Sequence, residues 1–122
     1  MGARTVRELA ESYWAAEERR DVDAIVAHYH PDATYQDGGG RRRGLDEIRA
    51  FYRTSAADHP AITVRILEDY PVEGGAAVEF HAELTDPDGR TWVIEGVNLF
   101  RVRDDRFTSV RSYEDAPRLA GA

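Results

Sequence analysis

One hundred and twenty-two residues are enough for one domain with a substantial core, and a net charge of −7 argues against a nucleic-acid partner. The chain has no cysteine, which excludes disulfides, thiol nucleophiles and thiolate metal sites. All sixteen basic residues are arginine, a usage that reads as coding bias rather than function. Residues 1–13 hold no apolar run of signal-peptide length, and no segment has the length and apolarity of a bilayer span. The expectation is a cytoplasmic protein with no membrane partner.

Over residues 4–19, Val6, Leu9, Ala10, Tyr13 and Ala16 recur at helical spacing with charge on the opposite face. Asp21 is placed to cap a second helix carrying Val22, Ile25, Val26 and Tyr29 in one stripe, and His30-Pro31-Asp32 stops it. A short strand over 33–37 delivers Asp37 to a glycine- and arginine-rich stretch, 38–44, which reads as a solvated loop. A third helix over 45–57 buries Leu45, Ile48, Phe51 and Tyr52.

Four strands follow, over 62–72, 76–85, 91–103 and 107–114, divided by the hairpin turns Gly74-Gly75, Asp86-Pro87-Asp88-Gly89 and Asp104-Asp105. Val78, Phe80, Ala82 and Leu84 share one face; Glu79, His81 and Glu83 share the other. That alternation belongs to an antiparallel sheet covered on one side. The fold class is therefore α+β, with three N-terminal helices packed in the concavity of a curved, mainly antiparallel sheet in one domain over 1–122. The tail, 116–122, reads as loosely held.

Such a sheet encloses a conical pocket. Its expected lining is Tyr13, Tyr29, Asp37, Tyr52, Phe80, Asn98 and Phe100. Asn98 shares strand parity with Trp92, Ile94, Phe100 and Val102 and points inward with them, where a buried amide requires a partner or a ligand. Asp37, held at a strand end and released into a loop, has the placement of a general base. His28 and His30, two apart, cannot face one ligand from a helix, and His59 and His81 have no partners at metal spacing.

These residues resemble the ketosteroid isomerase family, within the larger NTF2-like/SnoaL-like superfamily of cystatin-like cones. The similarity is close over residues 13–52 and looser to Tyr113. It implies that Tyr13 donates a hydrogen bond to a substrate carbonyl and that Asp37 is the general base. It also implies that Tyr29 and Tyr52 extend the hydrogen-bond network, and that Gly44 opens the third helix. Asn98 stands where the family has a protonated aspartic acid as second oxyanion donor, and an amide donates without needing a raised pKa. Gly38 follows the base where proline is common, and Glu114 stands where some members have a pocket tryptophan.

The chemistry so implied is cofactor-free: Asp37 moves a proton between two carbons and brings a double bond into conjugation with a ketone, while Tyr13 and Asn98 hold the dienolate. The implied substrate is a hydrophobic, steroid-like ketone bound by Tyr29, Tyr52, Phe80, Phe100 and Glu114, and the implied assembly is a homodimer built on sheet faces; a non-enzymatic rival would instead use the outer face, with Glu79, His81, Glu83 and Glu95, for dimer contacts. Two alternatives stand beside it: a SnoaL-like polyketide cyclase, and a non-catalytic small-molecule-binding module. A limonene-epoxide-hydrolase-like site fits poorly, because Gly96, Asn98 and Ser112 occupy positions where that chemistry wants charge.

Overall fold

The computed structural model describes residues 4–121. Helix α1 (Val6–Glu18) opens on a capping box. The Thr5 hydroxyl accepts from the Glu8 amide at 3.0 Å, and Glu8 Oε1 accepts from the Thr5 amide at 2.8 Å. Asp21 caps α2 (Val22–Val26) by accepting from the Ala24 amide at 3.1 Å.

The chain leaves α2 earlier than its apolar stripe suggests. Strand β1 spans Tyr29–Asp37, so Tyr29 lies on a strand and not in the second helix. Phe107 N–H donates to the His28 carbonyl at 2.7 Å, and this bond takes the backbone into the sheet before Pro31 is reached. Pro31, which has no N–H to give, falls where the β1 register is irregular, between Tyr29 and Thr34.

The glycine–arginine stretch is also more ordered than a loop. Gly38 and Gly39 make the turn of a tight hairpin, and β2 (Gly40–Arg43) returns antiparallel along β1. Helix α3 (Gly44–Asp58) follows, then the long strands β3 (Ala61–Val72), β4 (Gly75–Thr85), β5 (Thr91–Arg103) and β6 (Arg106–Glu114).

These strands form one sheet in the order β2-β1-β6-β5-β4-β3, antiparallel except where β1 meets β6 in parallel. The three helices pack on its concave side around Leu9, Tyr13, Ile25, Ile48, Tyr52, Val78, Phe100 and Phe107, all of them fully buried. Gly96 is required at its position, because a Cβ there would meet the Tyr113 carbonyl oxygen at 2.2 Å.

The tail is held where a loose end was expected. β6 pairs β5 only from Gly96 onward, and the free stretch of β5 is taken by β7 (Arg118–Leu119) through Trp92 and Val93. The last residue of the expected tail, Ala122, lies outside the described residues. Among the described residues no helix is long and apolar enough to cross a membrane.

Candidate functional site

The concave side of the sheet closes on a cavity of about 340 Å³. Helix α1 brings Tyr13, Trp14 and Glu17 to its wall; β1 brings Tyr35 and Asp37, which point the same way by strand alternation. Helix α3 adds Phe51 and Tyr52, β4 adds Phe80, β5 adds Trp92 and Asn98, and β6 adds Ser112 and Glu114. Of the residues expected to line the pocket, Tyr13, Asp37, Tyr52, Phe80, Asn98 and Glu114 do so. Tyr29 and Phe100 do not. Tyr29 sits behind Tyr52, while Phe100 stacks on Phe107 at 4.7 Å under the ring of Tyr13.

Three tyrosine hydroxyls are connected. Tyr13 and Tyr52 share a short hydrogen bond, and the Tyr52 and Tyr29 hydroxyls are 2.7 Å apart. Burial pushes the pKa of all three upward, so they remain neutral O–H groups. A chain of three hydroxyls carries three protons and has two internal bonds. Donation from Tyr29 to Tyr52 to Tyr13 leaves the Tyr13 proton for an acceptor in the cavity.

Asp37 is held from one side. Its Oδ1 accepts from Arg42 Nη1 at 2.5 Å and from the Gly39 amide at 2.8 Å. Both bonds fall on the same oxygen, so Oδ2 is the one available for a proton. Arg42 in turn lies over the ring of Phe51, 4.3 Å from its centroid. The sequence places Arg42 in a solvated loop; the hairpin folds it back as the partner of Asp37.

Asn98 is 4% exposed and lines the cavity, and its Oδ1 has no hydrogen-bond partner among the described residues. Which amide atom is oxygen and which nitrogen follows from the eventual partner, so the side chain offers the cavity either a donor or an acceptor. Glu114 stands at the mouth. Partial desolvation, then Asp37 and Asp115, raise its pKa.

Glu17 was not singled out by its sequence position. Flanked by Glu18, Arg19 and Arg20, it reads as part of a solvated face. The available signal was its i+4 relation to Tyr13, which puts both on one stripe of α1. It is 8% exposed, and burial raises its carboxyl to about 7, against the pull of the Tyr13 hydroxyl and the Arg20 guanidinium.

The residues 10–110 match the SnoaL-like domain family. The chain belongs to that family. The SnoaL-like architecture recurs in solved structures. One is a Delta 5-3-ketosteroid isomerase from Mycobacterium sp., with a TM-score of 0.82 and 22% identity over 94% of this chain and 98% of that one. Another is an epoxide hydrolase of M. tuberculosis like limonene epoxide hydrolase, at 0.77 and 22% over 90% and 81%. A third is a polyketide cyclase assignment from Sinorhizobium meliloti, at 0.74 and 20% over 86% and 93%. No curated protein matches the sequence. At these identities the similarities establish the shared NTF2-like fold, in which three helices pack against a curved mixed sheet.

Proposed function

We propose that this SnoaL-like protein is a cofactor-independent isomerase of the ketosteroid-isomerase type, acting on a hydrophobic ketone. The observation that carries the reading is that one cavity receives Tyr13, backed by Tyr52 and Tyr29, together with Asn98 and Asp37.

Asp37 Oδ2 takes a proton from the carbon between the ketone and an isolated double bond. The C–H electrons form a new C=C, and the carbonyl π electrons move to oxygen. Tyr13 O–H and the Asn98 Nδ2–H donate to that oxygen as charge develops on it. The protonated Asp37 then returns its proton to the carbon two positions away, the carbonyl re-forms, and the product is the conjugated enone. Arg42 and the Gly39 amide keep the carboxylate aimed throughout. General-base assistance and each oxyanion donor are worth about two to three powers of ten.

For a homodimer we propose the outer sheet face, which exposes Leu99 and Tyr113 and also carries His81 and Glu95. Equilibrium sedimentation reads that dimer.

The second reading, a polyketide-cyclase-like aldol closure, draws support from the acidic mouth at Glu114 and Asp115, which favours a more polar substrate than a steroid. The test is an ultraviolet assay for conjugated enone formed from a Δ5-3-ketosteroid. Asp37→Asn keeps the size of the side chain and removes the base, so turnover should fall by about three powers of ten. Near wild-type kcat in Asp37→Asn, or no enone from the wild type, rejects the reading.

A further inference from the structure

The proposed chemistry leaves one buried acid of the cavity without a task. Glu17 lies one helical turn beyond Tyr13, lines the same cavity and is 8% exposed. Its nearest cation does not neutralise it well. Arg20 Nη1 is 3.8 Å from Glu17 Oε1, beyond hydrogen-bond length, and has no hydrogen-bond partner among the described residues. The rest of that guanidinium is committed to backbone, with Nε and Nη2 donating to the His59 carbonyl at 3.0 and 2.6 Å. Among the described residues around Glu17, the Tyr13 hydroxyl favours the charged form by donating to it, and the rest supply no compensating charge. Tyr13, Tyr29, Tyr35 and Tyr52 are neutral hydroxyls, and Glu114 across the cavity repels it. Strands β3, β4 and β5 present it with no charged side chain in the cavity wall.

We propose that Glu17 is a third hydrogen-bond donor of this cavity, giving its carboxyl proton to the same class of ligand oxygen that Tyr13 addresses. The inference rests on the oxyanion reading of the site. The two forms of Glu17 act oppositely on such a ligand. As an acid it offers an O–H beside that of Tyr13. As a carboxylate it accepts the Tyr13 proton, withdrawing it from the ligand, and sets a full negative charge beside the oxygen where charge develops. The cavity therefore takes an oxygen-centred, electron-rich ligand only while Glu17 holds its proton. Arg20 keeps the switch between the forms close to neutrality, because its idle Nη1 is a counter-charge in waiting once the carboxylate forms.

The probe is 2-acetylnaphthalene, a ketone that accepts hydrogen bonds, has no O–H to give and does not titrate, added to the full chain between pH 6 and 8 with its Kd read by calorimetry. With a carboxyl that titrates at about 7, affinity in the wild type should fall about tenfold from pH 6 to pH 8. Glu17→Gln, which keeps an N–H donor and has no proton to lose, should bind with a flat profile. A second measurement does not depend on a variant. With glutamate carboxyls labelled with ¹³C, the Glu17 titration midpoint should move upward when the ketone saturates the protein, as linkage requires.

A flat wild-type profile, no binding at pH 6, the same slope in Glu17→Gln, or an unmoved Glu17 midpoint would each overturn the proposal. Because the readout is equilibrium binding, the two readings fail separately. Binding of the ketone with the expected slope in a protein that forms no enone would sink the isomerase and leave Glu17 as donor. Asp37-dependent turnover with a flat binding profile would do the reverse.

Discussion

Each face of the sheet carries a group whose pKa is raised, and the two are raised for opposite reasons. On the outer face His81 is hydrogen-bonded to Glu95 at 2.8 Å and to Glu83 at 3.2 Å, and these carboxylates raise the histidine pKa. On the inner side Glu17 keeps its own proton because water has been taken from it. A glutamate in solvent acts on its neighbour's proton; a glutamate in the cavity acts on its own. The first effect is attraction between charges and fades with salt. The second is loss of solvation, which ions in solution do not restore.

That contrast is broken most severely from the inside. On the proposed mechanism Tyr13→Phe removes the donor to the ligand oxygen and leaves Tyr52 short of a partner, so kcat for enone formation should drop by about two to three powers of ten. Tyr52→Phe and Tyr29→Phe lose only the support behind it and should cost about tenfold or less, in that order. Steady-state kinetics on the three variants ranks them. Equal losses would mean that the hydroxyls act as one unit rather than as a donor and its backing.

A smaller effect appears in stability. The folded-state pKa of Glu17 lies above its usual value, so its contribution is complete below about 4.5 and is lost as pH rises through about 7. The loss is on the order of 3 kcal/mol by the usual conversion of pKa shift to free energy. Urea unfolding of the wild type should show this decline and Glu17→Gln should lack it, and the difference between the two should not respond to salt.

The smallest effect belongs to the outer face. Raised by its two glutamates, His81 stabilises the fold below its unfolded-state pKa of about 6.5 and loses that contribution as pH climbs past the raised folded value. His81→Ala should cost less than about 1 kcal/mol at pH 6, and high salt should erase the difference. A larger cost, or one that survives salt, would mean that this face is covered, as a dimer there would require.

Residues whose side-chain direction follows from strand or helix period were readable in the sequence. Asn98 turns inward because its strand neighbours at even spacing are apolar, and Tyr13 and Tyr52 sit on the buried stripes of α1 and α3. Asp37 was placed by the turn that follows it. What stayed hidden depended on contacts between distant segments. Tyr29 has the spacing of a helix residue, yet a backbone bond from Phe107 to His28 draws it into the sheet. Glu17 and Arg42 carry charge in runs of charge, and local composition assigns both to solvent. Arg42 is drawn partly out of solvent because the hairpin returns it over Phe51, and Glu17 because it lies on the stripe of α1 that faces the cavity. The tail looked loose because nothing in its own residues shows that β5 has a free edge waiting for it.

The parallel seam between β1 and β6 has a consequence in time rather than space. The hairpin of β1 and β2 is a local structure that closes on a scale of about microseconds. The same β1 finds its other partner only when Tyr35 meets Val110 and Gln36 meets Arg111, a closure spanning most of the chain. Asp37 and Arg42 can thus be paired early, on a strand that does not yet face anything. Tyr52 reaches that strand through α3, which packs on β1, whereas Asn98 of β5 joins the same wall when β6 takes its place between β1 and β5. The β1–β6 seam thus joins the part of the cavity wall that carries Asp37 to the part that carries Asn98, and a chain that has not made it keeps those two side chains apart.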